Sequence, residues 1–362
     1  MQNEELYRKV RRSSLVTGGA AIAVSALGAC ASLVSTLAPA TGERHSLPLA
    51  PLLLAPLLRP RKLSAGATIG LIAPGGFVDE ATISKSIVNL QSLGFKVKLS
   101  PNIRQRLGGY AGSVQQRVDD LHTMFADAAV DAIWAARGGS GGNALLPLLN
   151  YELIRANPKV LIGYSDFTAL LLAINYRSGL ICFHGPVASS TFSEFSVANL
   201  KAVLMRVAAS IRCPLSGDHL AGYMTLREGS AIGRLMGGNL SVLAALVGTP
   251  YLAPLTDRLL FLEEISEAPY RVDRLLHQLQ QIGLGQAAAI ILGVFVQCDP
   301  PDNDPSLSLA DVLSSQLSLL KIPSAYGYSF GHVAQQITLP IGVMASFDTH
   351  QKTLTLLEPA VA

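Results

Sequence analysis

Gly163-Tyr-Ser-Asp166 follows an apolar run, Lys159-Val-Leu-Ile162, and leads into another, Phe167-Thr-Ala-Leu-Leu-Leu-Ala-Ile174. A strand that ends in a sharp turn and passes into a helix lifts a side chain in the turn to the lip of a sheet. It also aims the first free N–H groups of the helix at the same point. Ser165 therefore has the placement of a nucleophile, with amides at hand to stabilise an oxyanion. The plainer alternative is that Ser165 or Asp166 caps the helix start. Phe167 stands where the G-x-S-x-G elbow has its second glycine, so an ordinary α/β-hydrolase elbow is not indicated.

A serine nucleophile needs a base, and the base needs an orienting group. Of the histidines, His45 lies in a proline-broken stretch, His122 and His277 fall on helical patterns, and His219 and His350 sit in polar loops. His184, in Cys182-Phe-His-Gly-Pro186, and His332, in Gly327-Tyr-Ser-Phe-Gly-His332, are the two candidates for the base. Among carboxylates, Glu263 ends an apolar strand, a common location for a functional acid. Glu264 and Glu267 compete with it, and their ordinary explanation is a salt bridge to Arg271 or Arg274. The glycines of Arg137-Gly138-Gly139 would let backbone N–H groups approach a substrate carbonyl. This loop has neither G-x-G-x-x-G nor a P-loop lysine. No His-Glu-x-x-His or carboxylate cluster calls for a metal, and no cofactor is expected.

The elements that must hold these residues alternate. Ala67–Ala73 reads as a buried strand closed by Pro74-Gly75-Gly76, and Ile83, Ile87, Leu90 and Leu93 mark a helix stopped by Gly94. Phe95–Leu99 is the next strand, Val118, Leu121 and Phe125 mark a helix, and Ala129–Ala135 is a strand running into Arg137–Gly142. This βαβαβ order predicts a parallel sheet covered by helices, with ligands beyond the carboxyl ends of its strands. Residues 190–230 are irregular and suit a crossover. Beyond them come a helix over 240–247, a strand over 258–262, a helix over 271–282 and a strand over 289–295, with shorter strands near 325–328 and 353–356. The fold class is α/β: an N-terminal parallel-sheet domain (63–190), a crossover (191–231) and a second, mixed α/β domain (232–362).

A chain of 362 residues suits about two domains. Its 49% hydrophobic content against 15% charged is partly local. Arg8-Lys-Val-Arg-Arg12 precedes a charge-free run from Leu15 to Gly42, the order of an export signal. Arg11-Arg12 resembles a twin-arginine signal, and Leu27-Gly-Ala-Cys30 resembles a lipoprotein box whose Cys30 would be lipidated. Ala38-Pro39-Ala40 is a competing cleavage site, and an uncleaved anchor is the third option. Residues 1–42 are thus expected to be a signal and 43–62 a tether, with the folded part exported and membrane association possible. The other cysteines, Cys182, Cys213 and Cys298, lack C-x-x-C spacing and are expected to be buried thiols. The formal charge of +3 includes the basic signal and makes no case for nucleic acid.

From about Leu63 onward the chain resembles the LD-carboxypeptidase (muramoyltetrapeptide carboxypeptidase) family of serine peptidases. The resemblance runs in order through Ile69–Pro74, Phe125–Asp127, Ala132–Gly139, Pro158–Asp166, His184-Gly-Pro186, Gly237–Leu240, Phe261-Leu-Glu263, Pro269-Tyr-Arg271 and Gly331-His332. It implies a Ser165–His332–Glu263 triad and an oxyanion hole from the N–H groups of Gly139 and Asp166. It also implies a Rossmann-like domain followed by a smaller β-rich α/β domain, a homodimer and a murein tetrapeptide substrate. Ser140 replaces the family's usual aromatic, and Gly75-Gly76 replaces a serine-containing turn. Two alternatives accompany this reading. One resembles the microcin-immunity peptidases, which cleave peptidyl- or aminoacyl-nucleotide amides. The other is a non-catalytic murein-binding lipoprotein.

Overall fold

The computed structural model describes residues 57–362; the expected signal, Cys30, His45 and most of the expected tether lie outside them. The strands are β1 (Thr68–Ile72), β2 (Lys96–Leu99), β3 (Ala132–Ala135), β4 (Val160–Gly163), β5 (Cys182–His184), β6 (Ile211–Cys213) and β7 (Met224–Arg227). They continue as β8 (Ser230–Asn239), β9 (Arg258–Ile265), β10 (Ala289–Val296), β11 (Ser324–Gly331), β12 (Leu339–Ile341), β13 (Met344–Asp348) and β14 (Thr353–Leu356).

Two sheets result. The first has the order β12-β5-β4-β3-β1-β2, with β1 to β5 parallel to their neighbours and β12 antiparallel at the edge. Strands β3 and β4 are buried along their whole length, as central strands covered on both faces must be. Amphipathic helices with side-chain caps connect β1 to β2 and β2 to β3. Asp79 accepts from Thr82 N ahead of Glu80–Ser92, and Ser113 forms a capping box with Gln116 ahead of Val114–Ala126. The second sheet has the order β6-β14-β13-β8-β9-β10-β11-β7, with a parallel centre from β8 to β11.

The fold class is the mixed α/β architecture expected, with parallel strands in the N-terminal part. Its details differ in three places. Residues 190–230 carry the helix Glu194–Leu204 and strands β6 and β7, both of which join the second sheet. Strand β12, far along the chain, returns to the first sheet and pairs with β5 through Leu339 and His184. Residues 57–62 are no free tether. Leu58 N donates to Gly179 O, Ile181 N donates to Leu58 O, and Lys62 N donates to Ala362 O at 2.9 Å. Cys182, Cys213 and Cys298 are free and buried.

Candidate active site

The turn after β4 keeps Ser165 at φ 63°, a left-handed conformation that a non-glycine residue adopts at a cost of about 1–2 kcal/mol. The capping alternative fails on geometry. The helix Thr168–Ser178 has no side-chain cap, and Asp166 Oδ2 instead accepts from Gly142 N at 2.9 Å. That bond ties the Arg137–Gly142 loop to the serine turn. A Cβ placed on Gly138 would lie 2.9 Å from Ser165 Cβ and 3.0 Å from its Oγ, so this loop passes directly over the hydroxyl.

Gly139 has φ +121°, and a Cβ there would lie 2.5 Å from Gly76 N, a backbone atom with nowhere to go. Only glycine fits, and its own N–H donates to no protein acceptor among the described residues. Arg117 braces the loop from behind. It donates to Pro74 O at 2.8 Å and Gly141 O at 3.2 Å and lies over the Tyr110 ring. Burial lifts the Asp166 carboxyl above its ordinary range, opposed by the Gly142 N–H and the Arg117 charge.

The opposite wall comes from the second sheet. Successive residues of a strand face opposite sides, so Glu263 and Glu264 diverge at the end of β9. Glu263 is fully buried, and its Oε2 lies 2.7 Å from His332 Nδ1. Glu264 turns the other way and is held by Asn239 Nδ2 and Ser241 N, both at 2.8 Å, and by its neighbour Ile265 N. Burial raises its pKa despite those donors. The salt-bridge explanation therefore holds for Glu267, 3.5 Å from Arg271, and not for Glu264. His332 follows Gly331, where φ is +116° and a Cβ would press to 2.8 Å from Val294 O and 3.1 Å from Glu263 Cβ.

The Tyr164 ring, next to Ser165, stands edge-on to His332 with centroids 4.8 Å apart. That contact brings the serine turn and the Glu263–His332 pair to one place. No hydrogen bond joins Ser165 to His332 among the described residues; such bonds commonly tighten only once substrate is bound. Among the described residues no other histidine pairs with Glu263. His122 Nε2 accepts from Asn150 N, His277 sits by Asp273 and Gln316, and His219 lies in the short helix Gly217–Ala221. His184 is fully buried at the end of β5. Among the described residues no three His, Cys, Asp or Glu side chains converge as a metal site.

Residues 69–185 match the LD-carboxypeptidase N-terminal domain, and residues 232–347 match the LD-carboxypeptidase C-terminal domain. A probable murein peptide carboxypeptidase of Bacillus subtilis is 36% identical over 300 residues, covering 82% of this chain and 94% of that one. The chain belongs to the LD-carboxypeptidase family. The murein tetrapeptide carboxypeptidase of Pseudomonas aeruginosa is 34% identical over 290 residues, 76% of this chain and 92% of that one. The microcin C7 self-immunity protein MccF of Escherichia coli is 28% identical over 345 residues, 85% and 96% of the two chains. A solved structure of a MccF protein superposes with a TM-score of 0.78 at 25% identity, covering 84% of this chain and 100% of that one.

The two matched segments follow one another along the chain, and the site lies where the two sheets meet. Two contributors escaped the sequence. Arg117 lies mid-helix, where an arginine normally faces solvent, and Tyr164 is only a neighbour of Ser165 in the turn, with nothing local to show that its ring meets His332. For Arg117, only the glycines of the loop it braces gave a signal.

Proposed function

We propose that the protein is a serine carboxypeptidase that hydrolyses the bond between an L-centred diamino acid and a terminal D-alanine in murein tetrapeptides. Ser165 Oγ attacks the carbonyl carbon while His332 Nε2 takes its proton. Glu263 holds Nδ1 and stabilises the imidazolium that forms. The Gly139 and Asp166 N–H groups receive the oxyanion. Collapse breaks the C–N bond, His332 returns the proton to the departing D-alanine amine, and water then attacks the acyl-enzyme by the same route. The observation that carries this reading is the buried 2.7 Å Glu263–His332 pair facing a serine held in a left-handed turn under a glycine loop. Names of relatives such as the P. aeruginosa enzyme support the murein substrate.

Likeness to MccF favours a second reading, hydrolysis of an aminoacyl- or peptidyl-nucleotide amide. Incubating the purified protein with murein tetrapeptide and, separately, with an aminoacyl sulfamoyl adenosine distinguishes the two by mass spectrometry. D-alanine release with the nucleotide intact supports the first reading, and the reverse result transfers the function to the second. Absence of both products together with no fluorophosphonate labelling of Ser165 would leave a murein-binding protein. The N-terminal pattern supports export, with Cys30 as the lipidated residue, which radiolabelled palmitate incorporation into wild type and Cys30→Ala would test. A homodimer is the expected assembly, measurable by light scattering.

A further inference from the structure

Beneath Tyr164, on the side of the site away from solvent, His184 ends β5 with no exposed surface. Neither of its ring nitrogens has a hydrogen-bond partner among the described residues. Glu263 Oε1 is likewise buried and unpartnered, while its Oε2 is engaged by His332. The His184 ring lies edge-on to Tyr164, Phe261 and Phe330, with centroids 6.0, 5.4 and 6.2 Å away. Phe261 and Glu263 alternate along β9 and share a face. Phe330 and His332 flank Gly331 at the end of β11. The imidazole thus sits among the side chains that carry the acid and the base.

Thr338 is a third residue here with a buried, unpartnered polar atom, its Oγ1. It would lie 2.9 Å from a Cβ on Gly185, and the next residue, Leu339, pairs with His184. Each such group left unsatisfied costs about 1–3 kcal/mol, so a cluster of them behind a carboxylate demands a common solution. A neutral imidazole supplies one donor and one acceptor, and a water shared by three polar atoms is an ordinary buried water. The charged and titratable groups facing His184 are Glu263 from β9, His332 from the end of β11 and Tyr164 from the end of β4. Burial pushes the His184 ring down to about 4, with the Glu263 charge opposing and His332 assisting that fall, so the ring is neutral at neutral pH.

We propose that His184 is a positioning residue of the triad, its ring N–H reaching Glu263 Oε1 through one water shared with Thr338 Oγ1. Each oxygen of Glu263 is then anchored, one on each histidine, and the carboxylate cannot swing away from His332. This inference rests on the triad reading above, and it also sets the strength of the base. Without the donor, the negative charge on Glu263 is less stabilised and holds the His332 imidazolium more tightly. His332 should then titrate about one pH unit higher, a tenfold change in its protonation equilibrium.

The test is an NMR titration of histidine-labelled full-length protein, which needs no substrate and so fails or succeeds independently of D-alanine release. His184→Phe should raise the His332 pKa by about one unit, and His184→Gln, which keeps a donor, should restore it to near the wild-type value. An unchanged His332 titration in folded His184→Phe would overturn the proposal. If that variant does not fold, wild-type protein decides the matter. A hydrogen-bonded, downfield ring N–H at His184 that persists across neutral pH supports the role, and a solvent-exchanging ring titrating near 6.5 overturns it.

Discussion

Substituting Gly139 with alanine is the sharpest probe of the proposed oxyanion loop. The new Cβ would sit 2.5 Å from Gly76 N and 2.7 Å from Gly76 Cα, both backbone atoms, at a φ of +121°. The loop must move, and the N–H proposed to receive the oxyanion moves with it. Losing one oxyanion donor costs about 2.7–4 kcal/mol of transition-state stabilisation, or about 10²–10³ in kcat. Left-handed strain alone costs about 1–2 kcal/mol in stability and need not touch kcat. Gly94→Ala separates the two effects. Gly94 has φ +89°, and a methyl group there would have nothing within 4 Å, so its alanine variant carries strain without crowding. Steady-state D-alanine release and thermal melts on both variants give the comparison. Both should lose stability, Gly139→Ala the more because it adds crowding to strain, but only Gly139→Ala should lose kcat by two to three orders of magnitude. A kcat within threefold of wild type for Gly139→Ala, or an equal loss for Gly94→Ala, would refute the reasoning.

Three further outcomes are expected. Ser165→Gly removes the hydroxyl and relieves the φ 63° strain, so it should be more stable than Ser165→Ala by about 1 kcal/mol, checked by denaturant titration. His332→Gln should lower kcat by about 10²–10⁴ and abolish the near-neutral ascending limb of the pH–rate profile; full activity would move the base to His184. Burial alone would raise the Glu358 pKa, but the Met344 N–H and the guanidinium groups of Arg234 and Arg59 outweigh it and hold the carboxyl below its ordinary value of 4.5. Its stabilising contribution is present above that value and lost as pH falls through the lower folded one. Glu358→Gln should therefore lower the melting temperature at pH 7 and make no difference in strong acid.

The central strands of the first sheet were legible because residues buried on both faces leave continuous apolar runs, as in Val160-Leu-Ile162. Strand β12 was not: Leu339-Pro-Ile341 is short, and its proline fits only an edge, which is where it lies. Residues 190–230 lack periodicity because β6 and β7 are edge strands with only one covered neighbour. At the site, the strand end marked Glu263 as a candidate, but choosing it over Glu264 from the residues alone needed the facing of β9, which depends on partners distant in sequence. The left-handed backbone of Ser165 is equally invisible, since serine rarely adopts it and the turn is imposed by its surroundings. His184 and His332 both resembled bases locally; only the second finds a carboxylate at 2.7 Å.

The central claim is that Ser165 is the nucleophile of a murein tetrapeptide carboxypeptidase. Single-turnover hydrolysis of purified tetrapeptide by wild type and Ser165→Ala, followed by mass spectrometry of both protein and products, tests it directly. Wild type should release D-alanine and carry a transient acyl adduct on the Ser165 peptide, with neither in the variant. Release of D-alanine by Ser165→Ala at the wild-type rate would contradict it.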